Sequence, residues 1–144
     1  MCTSANRTST CSKAAYLFSR ALLPLLTPDA ADKPAADAHP PTLIFTGATA
    51  SIKASALLTL FAATKHALRA MSSSLAKEYG PKGVHVSHAI IDGVIDIPRT
   101  KGWNLGEGAK IETQDIADAY WWLHTQKKTG WTWEVDLRPN VEKW

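Results

Sequence analysis

Between positions 13 and 26 the apolar residues Ala14, Leu17, Phe18, Ala21, Leu22 and Leu25 return at steps of three and four, the spacing of one helical face. Ser12 suits an N-cap, while Pro24 disturbs the last turn and Pro28 ends the segment, so the pattern predicts a helix over 12–26. The residues before it, 1–12, are Ser/Thr-rich and aperiodic and read as a flexible tail. Residues 28–41 are rich in Pro, Ala and Asp and read as a loop, longer than helix-to-strand connections usually are. Thr42 to Thr46 is a short β-branched and aromatic run, a strand buried on both faces, and GATAS after it is a small-residue loop. From 55 to 79 the stripe Leu57, Phe61, Thr64, Leu68, Met71, Leu75, Tyr79 predicts a helix, with Gly80 as its C′ residue and Pro81 blocking continuation. A second apolar strand follows at 84–91, then a helix from Thr113, its cap, to about Gln126, and an alternating strand over 131–137.

A strand, a helix and another strand form a βαβ unit, which requires a right-handed crossover and parallel pairing. The order α-β-α-β-α-β therefore predicts a single α/β layered domain over 13–144. At 144 residues the chain can bury a real core. A net charge of +3, carried by scattered basic residues, gives no electrostatic footprint for nucleic acid. Cys2 and Cys11 make neither a disulfide framework nor a CxxC pair and read as thiols of a reducing compartment. No apolar run reaches the roughly 18 residues of a membrane span, and the opening has no secretory apolar core, so the expected location is cytoplasmic.

Candidate chemistry gathers on the helix over 55–79 and the strands beside it. Phe61 falls on the apolar stripe and reads as core, and Lys65 lies one step off it, four residues on. His66 reads as surface. His85 and His88, three apart on a strand, point to opposite faces, so no metal pair is expected and no metal site is assigned. Asp92 and Asp96 are either a carboxylate pair or polar loop residues. The six tryptophans lie between Trp103 and Trp144 with no basic stripe between them, which points to a packed C-terminal region or an oligomer contact.

Taken together, IFTGATAS, FAATKHALRAMSSSLAKEYGPKGVHV and DGVIDIP resemble the C-terminal half of a short-chain dehydrogenase/reductase. IADAYWWLHTQKKTGWTWEVDLRP resembles the last helix and strand of a divergent branch with Phe-x-x-x-Lys in place of Tyr-x-x-x-Lys. The resemblance implies a truncated Rossmann-like three-layer α/β fold, with a partial parallel sheet of about three strands flanked by helices. The Gly-rich βαβ unit that holds a cofactor pyrophosphate would be missing from it. Gly106 and Gly108 sit in a GEG loop with no strand before it and do not replace that unit. The resemblance places Lys65 as the residue that lowers the tyrosine pKa and holds the nicotinamide ribose. Phe61 then stands at the proton-donating tyrosine and Ala48 at the carbonyl-steadying serine, with Thr49 and Ser51 the nearest hydroxyls. Asp92-Gly93 replaces the usual Pro-Gly, Ile97 replaces a threonine that touches cofactor, and the Ile95 backbone is placed to meet a carboxamide.

Three functions follow as expectations. The first is an NAD- or NADP-linked oxidoreductase homologue, truncated and catalytically degenerate, with Lys65, Ser51 and Thr49 as catalytic residues and Lys65, Gly93 and Ile95 toward the cofactor. The second is a cofactor-independent isomerase, cyclase or dehydratase of secondary metabolism using Lys65, Ser51 and Asp92 on a small-molecule substrate. The third is a non-catalytic partner that self-associates through the helices over 13–26 and 55–79.

Overall fold

The computed structural model of the chain describes residues 5–28 and 38–142, with side chains from Ser12 onward. Helix α1 spans Ala5–Leu26, starting seven residues before the expected start at 12, so Ser12 lies inside it and is not its cap. Its first two turns carry small and polar residues that favour no buried face, which is why periodicity did not mark them. Pro24 stays within the last turn. Residues 29–37 of the expected loop, and the side chains of Cys2 and Cys11, fall outside the description.

Strand β1 is Thr42–Thr46, helix α2 is Thr59–Tyr79 and strand β2 is His85–Ile91. Two short strands, β3 (Val94–Ile95) and β4 (Lys110–Ile111), precede helix α3 (Thr113–Thr125) and strand β5 (Glu134–Leu137). The main sheet has the order β1-β2-β5, and both pairings are parallel. Thr42 faces His85 at one end of the first pairing, and His88 faces Glu134 in the second. β3 and β4 form a separate parallel pair that the sequence pattern did not signal, two residues being too short to show alternation.

Parallel strands are covered on both faces, and β2 is buried at every position. Leu43, Phe45 and Val86 face α1 and α2, forming one core cluster with Leu23, Leu68 and Val84. On the other face Thr42 and Thr46 meet His124 and Tyr120 of α3. These three layers are those of a truncated Rossmann-like α/β fold.

The stripe on α2 is displaced at its start. Leu57 precedes the helix, is fully exposed and has a positive φ of 66°, and Phe61 is 40% exposed. The buried face instead begins with Ala62 and Thr64 and runs on through Leu68 and Ser72. Small residues bring the first turns close to the chain beneath, and the phenylalanine is turned out. Thr113 is the first residue of α3, whose cap is Glu112. Gly80 keeps a right-handed conformation at the end of α2, and the left-handed turn falls at Gly83, with φ 89°.

Leu23 is 1% exposed and Leu25 82%. Leu23→Ala is therefore expected to cost about 2–5 kcal/mol in urea unfolding, and Leu25→Ala about 0.5 kcal/mol or less.

Candidate active site

Helix α2 carries Phe61, Lys65 and Arg69 at intervals of four residues, so the three project from one ridge. Lys65 Nζ donates to the Thr46 carbonyl at 2.9 Å and lies 5.9 Å from the Phe61 ring centre. Gly47 N–H bonds Ala89 O, so the alternation of the ladder turns the Thr46 carbonyl away from β2, toward the outer edge of β1. The Lys65 ammonium is thus half-buried at the carboxyl end of a parallel strand, where ligands of open α/β sheets bind. Phe61 brings no exchangeable proton to it. The Tyr120 phenol reaches Thr46 Oγ1 from the α3 side, across the strand from Lys65, and burial pushes its pKa up.

The two hydroxyls after β1 part company. Ser51 is fully buried, and its Oγ accepts the Ala48 N–H at 3.1 Å, so it secures the loop. Thr49 lines an open cleft of ≈ 680 Å³ together with Gly93, Val94, Ala109, Val141 and Glu142. Its hydroxyl donates to Asp92, a buried carboxylate that also pairs with Arg138 at 3.1 Å. Asp96 pairs with Lys110 at 3.7 Å, so the two aspartates serve separate cations and form no carboxylate pair. Gly93 is explained by packing: a Cβ there would meet Pro139 Cδ at 2.7 Å. The Ile95 carbonyl accepts the Thr100 hydroxyl at 2.5 Å, while Thr100 Oγ1 accepts the Ile97 N–H at 3.1 Å.

These residues fit one end of a nicotinamide dinucleotide. Lys65 is the donor that would meet a ribose hydroxyl, and the Ile95 carbonyl is the acceptor that would meet an amide. For the pyrophosphate there is no cradle among the described residues. The spacing G-x-x-x-G-x-G does occur at Gly102, Gly106 and Gly108, but this exposed loop joins β3 to β4. No strand leads directly into it and it opens no helix, so the amides that grip a phosphate are not presented.

Beneath the cleft lies a network that sequence spacing did not suggest. Arg69 donates two hydrogen bonds to Glu134, at 2.6 and 2.7 Å, and His88 Nδ1 meets the same carboxylate at 3.0 Å. A neutral His88 ring with its proton on Nδ1 satisfies that contact. Its Nε2 is buried against Gly47, where a Cβ would come within 2.4 Å, so only glycine fits there. His85 points to the other face, stacked on Trp131 at 4.8 Å between ring centres. The one legible hint was Arg69, a turn beyond Lys65. Among the described residues no three His, Cys, Asp or Glu side chains converge as a metal site would require.

A sequence profile of the short chain dehydrogenase family matches residues 8–107. The chain belongs to that family. The dehydrogenase-family chain is 41% identical over 80 residues to an uncharacterized oxidoreductase of Staphylococcus epidermidis, covering 56% of this chain and 34% of the relative. A Staphylococcus aureus oxidoreductase, also uncharacterized, is 36% identical over 81 residues, covering 56% and 35%. Its fold matches a short-chain dehydrogenase from Rhodopseudomonas palustris with a TM-score of 0.60 and 28% identity, over 95% of this chain and 54% of that one. Serine dehydrogenase from Escherichia coli superposes with a TM-score of 0.73 at 19% identity, over 99% and 58%, a likeness of fold alone. The chain thus spans about a third of the curated relatives it matches and about half of the solved ones.

Burial pushes the His88 pKa below its ordinary value against the pull of Glu134, and the hydrogen bonds from Arg69 hold Glu134 below the usual carboxylate range. Both groups bind protons less readily folded than unfolded. Their contribution is whole above the unfolded value and is lost as pH falls, below about 6.5 for His88 and below about 4.5 for Glu134. Melting temperature is expected to drop from pH 7 to 5. In His88→Gln that portion of the pH dependence should vanish.

Proposed function

We propose that the chain is an NAD(P)-linked oxidoreductase homologue that retains the nicotinamide-ribose side of the pocket and has lost the proton donor. The observation that carries this reading is Lys65, held four residues beyond Phe61 at the carboxyl end of a parallel strand and bonded to the Thr46 carbonyl. A solved short-chain oxidoreductase of the same fold is described in complex with NADP, at 24% identity, and that cofactor class is the one proposed here. When bound, the group would accept or supply hydride. Lys65 would hold its ribose, Ile95 its carboxamide, and Thr49 would be the hydroxyl nearest the substrate.

The same residues set the limits of the chemistry. A general acid is worth about 10²–10⁴ in rate and one oxyanion-type donor about 10²–10³. With Phe61 and Ala48 at those positions, ordinary carbonyl reduction is expected to be slow, so the proposal is a degenerate enzyme. The cofactor-independent alternative loses Ser51 to burial and keeps Lys65 and Asp92. Self-association has its own support: α1 leaves Leu17, Phe18 and Leu25 exposed, an apolar strip on the helix that packs beside α2. No described helix is long and apolar enough to cross a membrane.

Calorimetric titration with NADPH and NADH tests the reading. One of the two is expected to bind, with Lys65→Ala weakening it about tenfold or more, a lost charged hydrogen bond. Phe61→Tyr should raise the reduction rate of a generic aldehyde by about 10² or more. No heat from either cofactor would overturn the assignment.

A further inference from the structure

The hydrogen-bond sense at Thr49 says what the cleft can recognise. A threonine hydroxyl has one proton, and here it goes to Asp92, so toward the cleft Thr49 has only lone pairs to offer. The other polar side chain lining the cleft is Glu142, likewise an acceptor. Behind them Arg138 is bonded to both Asp92 and Asp136, and the charge of Glu142 also falls on it. Among the described residues one guanidinium therefore stands against three carboxylates, a net charge of about −2 by that count. Lys110 is engaged with Asp96 and with the carbonyls of Thr100 and Lys101. Val94, Leu105, Ala109 and Val141 supply the apolar remainder.

A negatively charged, partly apolar cleft whose two polar side chains are both turned to accept selects a ligand that brings its own donors and a positive charge. We propose that the cleft binds a small amino alcohol, its hydroxyl donating to Thr49 and its ammonium lying against Glu142. The polarity is opposite to that of a serine which donates to a carbonyl, so the alcohol is preferred to the ketone. Asp92 is a positioning residue: it touches no ligand, but by taking the Thr49 proton it sets the direction of the contact. Arg138 keeps that buried carboxylate paired, as an uncompensated one would be costly. The inference rests on the reading of this cleft as the ligand site and is independent of whether any dinucleotide binds.

The test is a ¹H–¹⁵N shift titration of the full chain, without cofactor, with three probes: 1-aminopropan-2-ol, its methyl ether 2-methoxypropan-1-amine, and propan-2-ol. The amino alcohol is expected to bind about tenfold tighter than either of the others, with shifts at the Gly93, Val94 and Ala109 amides. Glu142→Gln should abolish the preference over propan-2-ol. Thr49→Val should abolish the preference over the ether, while Thr49→Ser keeps it. Equal affinity of the wild-type chain for alcohol and ether, or shifts away from those amides, would overturn the proposal. The wild-type comparison decides the matter even where Thr49→Val unfolds the chain. A failed NADPH titration sinks the oxidoreductase reading and leaves this result standing.

Discussion

Arg69 grips Glu134 with two parallel hydrogen bonds, and the rest of the site depends on that grip. A helix laid across a parallel sheet can roll about its own axis, because apolar contacts are non-directional. A bidentate guanidinium–carboxylate pair is directional, and this one joins α2 to β5 while His88 of β2 holds the same carboxylate. With Arg69 fixed, the residues four and eight positions before it are fixed too. Lys65 is thereby brought to the end of β1, and Phe61 is turned outward, 40% exposed. The network has an internal condition, since His88 fits only because residue 47 has no side chain. The glycine at the start of the loop after β1 is thus needed for the core beneath the loop as well as for the loop itself.

The second half of the site is held by a different logic. At the carboxyl end of β2 the chain has Asp92-Gly93, and each residue has its own reason to be there. Gly93 lets Pro139 pack close, and Asp92 joins Arg138 to Thr49. Thr100 ties the loop after β3 through the Ile95 carbonyl and the Ile97 amide, and Lys110 ties Thr100 in turn. These bonds give a short, irregular segment the fixed geometry that β3 and β4, two residues each, could not give alone. A site whose loops are secured by their own side chains keeps its shape without a cofactor to template it.

The fold was legible where residue pattern and backbone structure share a period. Thr42–Thr46 was read to the residue, and α3 to within one at its end, because their apolar spacing and their neighbours agree. Parallel pairing followed from the βαβ order. Pattern failed at Leu57, which lies before the helix because phase cannot report where a helix begins, and at Phe61, which lies in its first turn and is turned outward. It failed again at Ser12, since a helix can run past its buried face. In the site, family spacing singled out Lys65, and named Thr49 and Ser51 only as the hydroxyls nearest Ala48. The folded chain is what sets those two apart, Thr49 on the cleft and Ser51 buried in its loop, because such hydroxyls look alike in sequence. Arg69–Glu134 and Asp92–Arg138 join residues 65 and 46 positions apart, and only the folded chain brings those together.

Catalytic loss and binding need not go together. A proton donor contributes chiefly to the transition state, and removing it lowers the rate while leaving ground-state contacts in place. On the proposed reading the residues at this site follow that division. Phe61 and Ala48 lack the groups that act on a changing charge, whereas Lys65, Thr49 and Asp92 remain charged or polar and are held by bonds of 2.9 Å for Lys65 to Thr46 and 3.1 Å for Asp92 to Arg138. A buried ion pair is often no better for stability than an apolar pair of similar volume. On the proposed reading, Asp92 and Arg138 therefore serve the hydroxyl they orient as well as the fold.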